Sequence, residues 1–127
     1  MLIELPCVPP SQNVYKSLTW TRAGLRTLAR KKREWELLIQ PYGFIWRANY
    51  GKTYANQVKI TFYFPDNRRR DRDNYTYWKA IPDGLVKADI LRDDSVKDVD
   101  ITYEIKLATG CSKTIISLTT QPGRENG

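Results

Sequence analysis

Between positions 58 and 64 apolar and polar residues alternate, with Val58, Ile60, Phe62 and Phe64 on one side and Lys59, Thr61 and Tyr63 on the other. That period of two is the signature of a strand with one buried face, and Pro65 ends it. A second alternation, Val99, Ile101, Tyr103 and Ile105 against Asp98, Asp100, Thr102 and Glu104, predicts a half-solvated strand. Weaker strand patterns cover Leu2 to Val8, where Pro6 argues for an edge position, and Thr114 to Thr120, where Ile115, Ile116 and Leu118 carry the apolar content.

The intervening segments read as helical. Residues Leu28 to Gln40 are rich in helix formers and place Leu28, Trp35, Leu38 and Ile39 as apolar positions, with Pro41 expected to end the helix. A second helix is expected to start at Asp73 or Asn74, both good N-caps, and to carry Trp78, Ile81, Leu85 and Val86 at spacings of three or four. Pro82 should kink or restart it. The order strand, loop, helix, strand, helix, strand, strand predicts a single α+β domain over residues 1–120. Its helices should pack on one face of a small mixed or antiparallel sheet of about four strands. Residues 121–127 are polar with Pro and Gly and are expected to form a frayed tail.

Composition narrows the function. A chain of 127 residues holds one domain, too small for most multi-domain cofactor enzymes, so no organic cofactor is expected. Lys and Arg number 21 against 14 Asp and Glu, and the net charge of +7 favours a polyanionic partner, nucleic acid before an anionic membrane face. No basic amphipathic helix has a broad apolar face, which argues against the membrane. Histidine is absent, so Ser-His-Asp and Cys-His chemistry and histidine zinc sites are excluded. Catalysis would have to use carboxylates, lysine or a carboxylate-bound metal. Cys7 and Cys111 lie far apart without CxxC spacing and are read as buried thiols. With no long apolar run and no signal region after Met1, a soluble cytoplasmic protein is expected.

Charge is unevenly distributed. Residues 1–33 carry seven bases (Lys16, Arg22, Arg26, Arg30, Lys31, Lys32 and Arg33) and one acid, whereas ten of the 14 acids fall between Asp66 and Glu104. Directly after the strand at 58–64 stands Arg68-Arg69-Arg70-Asp71-Arg72-Asp73-Asn74. In extended backbone, residues two apart point the same way, so Asp71 and Asp73 would hold two carboxylates together. A hard divalent ion such as Mg²⁺ between them fits oxygen-only ligation. The plain alternative is an acidic pair bridged to its own arginines, or an N-cap and turn. A calcium loop is excluded, because Thr76 and Pro82 stand where that loop needs Gly and a bidentate Glu. A second acidic pair, Asp93-Asp94, follows the helix, and Lys79 lies between the two clusters. The arginines of 68–72 and 26–33 would contact phosphates, with Tyr15, Trp20 and Tyr75 available for stacking.

At this point the chain resembles the RusA-type crossover junction endodeoxyribonucleases, which resolve Holliday junctions in bacteria and their phages. Leu5-Pro6 and then Pro9-Pro10-Ser11-Gln12-Asn13-Val14-Tyr15 look like the amino-terminal strand and PPSxNxxY loop of that family. Val58 to Asp66 followed by RRRDRDN looks like its central strand and DxDN motif. Lys79-Ala80, Asp83-Gly84-Leu85, Asp93-Asp94 and Val96 look like its continuation. Asp89 stands where the family often has glycine, a position at which Asp tolerates a left-handed backbone better than most residues.

The resemblance implies that Asp71, Asp73 and Asp94 ligate Mg²⁺, that Asp93 supports the cluster, that Lys79 assists the reaction and that the enzyme is a homodimer. Arg68, Arg69 and Arg70, with Asn13, Tyr15 and Lys16 of the amino-terminal loop, would contact four-way junction DNA. The expected activity is paired symmetric nicking to 5′-phosphate and 3′-hydroxyl ends. The rival expectation is a non-catalytic DNA or junction binder whose acids only organise its arginines.

Overall fold

The computed structural model describes residues 1–66, 70, 75–92 and 99–120. Its strands are β1 (Leu2–Leu5), β2 (Gln57–Phe64), β3 (Asp100–Leu107) and β4 (Lys113–Thr119); its helices are α1 (Gln12–Leu18), α2 (Arg22–Tyr50) and α3 (Ala80–Lys87). The strands form one mixed sheet in the order β1-β4-β2-β3, with β4 antiparallel to both neighbours and β3 parallel to β2. Parallel neighbours need a crossover connection, and α3 lies in it. The chain is a single small α+β domain.

Alternation along the strands decides which face is covered. Ile3, Leu5, Val58, Ile60, Phe62, Phe64, Ile116 and Leu118 are buried on the helix side, whereas Glu4, Lys59, Glu104 and Lys113 lie on the open side and pair there as Lys59–Glu104 and Lys113–Glu4, each at 3.2 Å. β1 sits at the edge, where the missing N–H of nearby Pro6 costs no ladder bond.

Pro41 does not end the helix. α2 runs through it for 29 residues and buries Leu28, Trp35, Ile39, Gly43 and Trp46 on one side. Pro41 itself is exposed, so the bond it denies to the Leu37 carbonyl is lost on the solvent side, and the core packing of the next turns outweighs a cost of about 3 kcal/mol. The loop expected between Val8 and Leu28 contains α1 and the first turns of α2; α1 is capped by Ser11, whose Oγ accepts from the Val14 amide. α3 is shorter than the sequence suggests, and Trp78 precedes it. Pro82 falls in its first turn, where its missing N–H has no intrahelical acceptor and no kink is required. The expected caps Asp73 and Asn74 lie outside the described residues. Asp89, just past α3, has φ +61°, the left-handed conformation anticipated from its place in the motif.

Gly43 is where α2 meets the end of α3: a Cβ there would stand 2.2 Å from the Ala88 carbonyl oxygen. Alanine is worth about 1 kcal/mol over glycine inside a helix, but a clash with backbone cannot be relieved by a rotamer and costs about 1–3 kcal/mol or more. Gly43→Ala is therefore expected to destabilise, read as a lower midpoint in chemical denaturation; a raised midpoint would place α3 farther from α2.

Candidate nucleic-acid interface

One end of the sheet gathers most of the described residues expected to face DNA. β1 and β2 end there, and α1 and α2 begin there. The hydroxyl of Tyr77 donates to the carbonyl of Pro10, 67 positions earlier, and its ring packs on Tyr15 at 4.7 Å between centroids. Burial pushes the Tyr77 phenol well above its usual range, so it remains a donor throughout neutral and mildly alkaline pH. This contact joins the PPSQN segment to the residues just before Lys79. Asn13 and Lys16 are exposed on α1, and Trp20, in the α1–α2 turn, is 82% exposed. Thr21 caps α2 by accepting from the Gly24 amide at 2.9 Å. From there Arg22, Arg26, Arg30 and Arg33 follow one another on the outer side of the helix, all exposed. Lys32 is engaged differently: Asp83 of α3 lies 2.8 Å from it, and that hydrogen bond raises its pKa.

At the end of β2, Arg70 forms an ion pair with Asp66 at 2.9 Å, and its guanidinium lies 4.1 Å over the ring of Phe64. The hydrogen bond to Asp66 is the leading cause of a pKa raised still further above the arginine range. Within the described part, an acid next to the arginine run is therefore holding an arginine. Tyr75 is buried against Phe62 and Phe64, so it packs the core and is not available for stacking on a base, contrary to the expectation from sequence. Lys79 is exposed at the N-cap of α3, where its carbonyl accepts from the Asp83 amide at 3.0 Å.

Asp71, Asp73, Asp93, Asp94, Arg68 and Arg69 lie outside the described residues. Their described neighbours emerge at two places. Asp66 and Arg70 follow the C-terminal end of β2, whereas the Ile90 carbonyl accepts from Ala55 and the Asp100 amide donates to Asn56, both beside the start of β2. These two ends are separated by the length of the strand, about 23 Å for eight residues. Among the described residues no group of three or more His, Cys, Asp or Glu is placed to hold a metal ion. The cysteines are not both buried: Cys111 is exposed in the β3–β4 turn, and Cys7 is half-buried with its thiol pKa raised by that burial.

Two contacts were not legible in the sequence. Tyr77 carried no spacing signal, since its partner is a backbone carbonyl far away in the chain. The Lys32–Asp83 pair joins two helices and is not visible as a local i,i+4 pattern. No protein-family model matches the chain, and no curated protein matches it. Among the described residues no helix is long and apolar enough to cross a membrane.

Proposed function

We propose that the chain is a Mg²⁺-dependent, structure-selective DNA endonuclease that nicks four-way junctions as a homodimer, acting in the cytoplasm of a bacterium or a phage-infected cell. The observation that carries this reading is the convergence at one end of the sheet: the Tyr15–Tyr77 contact brings the exposed Asn13, Lys16 and Trp20 to the same side as Lys79 and the strand end that leads into the RRRDRDN segment, with its four arginines and two aspartates. Asp71 and Asp73 offer only carboxylate oxygen, which suits a hard divalent ion; the described neighbours of Asp94 lie at the other end of β2, about 23 Å away, so Asp94 joins this donor set on the family resemblance alone. When bound, Mg²⁺ would supply polarisation of the scissile phosphate and a lower pKa for the attacking water. Arg22, Arg26 and Arg30 would hold the phosphate backbone, and Lys79 would neutralise charge developing on the phosphate.

The Arg70–Asp66 pair favours the second reading, a non-catalytic junction binder in which acids organise arginines. Cleavage of a synthetic four-way junction, compared with linear duplex of the same sequence in Mg²⁺ and in EDTA, separates the two. Nicking of the junction only in Mg²⁺ is expected; junction binding without cleavage in either condition leaves the binder. A narrower expectation concerns Lys79. Replacing it by alanine should lower single-turnover cleavage by about 10²-fold with junction affinity and Mg²⁺ dependence nearly unchanged, because a lysine serving the transition state acts on rate. Normal cleavage by Lys79→Ala together with an inactive Lys87→Ala would transfer the role to Lys87.

A further inference from the structure

α2 has two apolar faces. One, with Leu28, Trp35, Ile39 and Trp46, is buried in the domain. The other lies on the opposite side of the same helix and is open: Leu37, Pro41, Phe44 and Ala48 recur at spacings of four, three and four, with Leu38 and Ile45 beside them. Phe44 is 66% exposed, and Leu37 and Ile45 are each 48% exposed. A helix packed on a sheet needs one apolar stripe, and the chain's own fold leaves the second uncovered. The spacing is that of a helix-on-helix seam.

We infer that this face pairs two copies of the chain, α2 against α2, antiparallel about a two-fold axis between Pro41 and Phe44. The inference rests on the homodimer in the proposed function and names its surface. In this arrangement Leu37 of each copy meets Ala48 of the other, and Pro41 meets Phe44, so the stripe is complementary to itself as an isologous contact requires.

Charge fixes the direction. Arg22, Arg26, Arg30 and Arg33 fall within about 80° of arc on the same outer face, upstream of the stripe. Parallel pairing would set these arginines against their own copies. Antiparallel pairing sends Arg22, Arg26 and Arg30 beyond the overlap at opposite ends, with these two basic segments centred about 50 Å apart. Glu34 precedes the stripe and Lys52 follows it; both are exposed, and neither is in an ion pair among the described residues. The antiparallel pair brings Glu34 of each copy, with Arg33 beside it, to the helix end of the other, where Lys52 stands; Glu34 lies between these two cations. The stripe from Leu37 to Ala48 is about 17 Å long, so the contact belongs with the smaller, concentration-dependent interfaces, and the two copies exchange at micromolar concentration.

Sedimentation velocity across a micromolar concentration series tests this, with circular dichroism confirming that each variant is folded. Wild type should pass from monomer to dimer, and the double variant Phe44→Glu with Ile45→Glu should weaken the dimer by about 30-fold or more. Glu34→Lys and Lys52→Glu should each weaken it about 3- to 10-fold, and the two together in one chain should restore it. A wild type that stays monomeric throughout, or a dimer indifferent to all four variants, overturns the inference. Junction cleavage by wild type reads the proposed function separately: cleavage with a dimer insensitive to these changes sinks only the surface, and an α2-dependent dimer without cleavage sinks only the activity.

Discussion

Trp46→Ala is expected to lower the free energy of unfolding by about 3–5 kcal/mol, the range for removing a large aromatic side chain from a core. Trp46 is fully buried in the second half of α2, stacks on Tyr50 at 4.1 Å and donates its Nε1–H to the Thr53 carbonyl at 2.8 Å. The substitution therefore leaves a cavity and strips a carbonyl in the turn leading to β2 of its donor, which adds about 1 kcal/mol. Against a total stability of about 5–15 kcal/mol for a domain of this kind, the loss should appear as a melting temperature lower by about 10 °C or more. Trp46→Phe should recover part of it by filling the cavity without restoring the hydrogen bond. A loss below about 1 kcal/mol for Trp46→Ala would mean that the helix beyond Pro41 is not docked on the domain.

That half of α2 is also where the sequence was least legible. A proline after a good helical run reads locally as a stop, because its cost is local while its compensation is tertiary. Trp35, Ile39, Gly43 and Trp46 keep the core spacing across Pro41, but the aromatic-rich segment from Tyr42 to Tyr50 carries apolar residues on both sides, which blurs the single-stripe pattern. The second stripe is the reason: Phe44 and Ile45 look inward in sequence and face outward in the fold. α1 was illegible for a different cause, since it buries no residue and has no periodicity to betray it. The strands were readable because one face is covered and the other is not, so burial enforces the alternation residue by residue.

For the candidate site, sequence and fold contribute unequal parts. The motif order pointed to the amino-terminal loop and to Lys79, and the fold adds the Tyr77–Pro10 bond and the Tyr15–Tyr77 contact that join the loop to the residues before that lysine. The anticipated left-handed residue at Asp89 is observed. Tyr75 was misjudged because an aromatic beside a basic run looks like a stacking platform, whereas Phe62 and Phe64 claim its ring. Arg70 could not be divided between phosphate and carboxylate from spacing alone, and in the fold Asp66 holds it. The acidic pairs themselves, Asp71 with Asp73 and Asp93 with Asp94, rest on their spacing and on the family resemblance.

Asp73→Asn is the substitution that bears most directly on the proposed activity. It keeps the shape of the side chain and removes a ligand charge, and Asn serves a helix N-cap as well as Asp does, so folding should be unaffected. If Asp73 ligates Mg²⁺, the variant should lose nicking by about 10²–10³-fold or more, as expected when one preorganised charged group is removed from a reacting phosphate. Binding should move the other way. One fewer negative charge facing the DNA backbone should leave junction affinity equal to wild type or tighter, most visibly at low salt where charges are least screened. Loss of cleavage together with loss of binding would indicate a structural role for Asp73 instead. Cleavage at the wild-type rate would remove Asp73 from the metal site, and the acids of the RRRDRDN segment would then be left with the task Asp66 performs for Arg70, holding arginines in place.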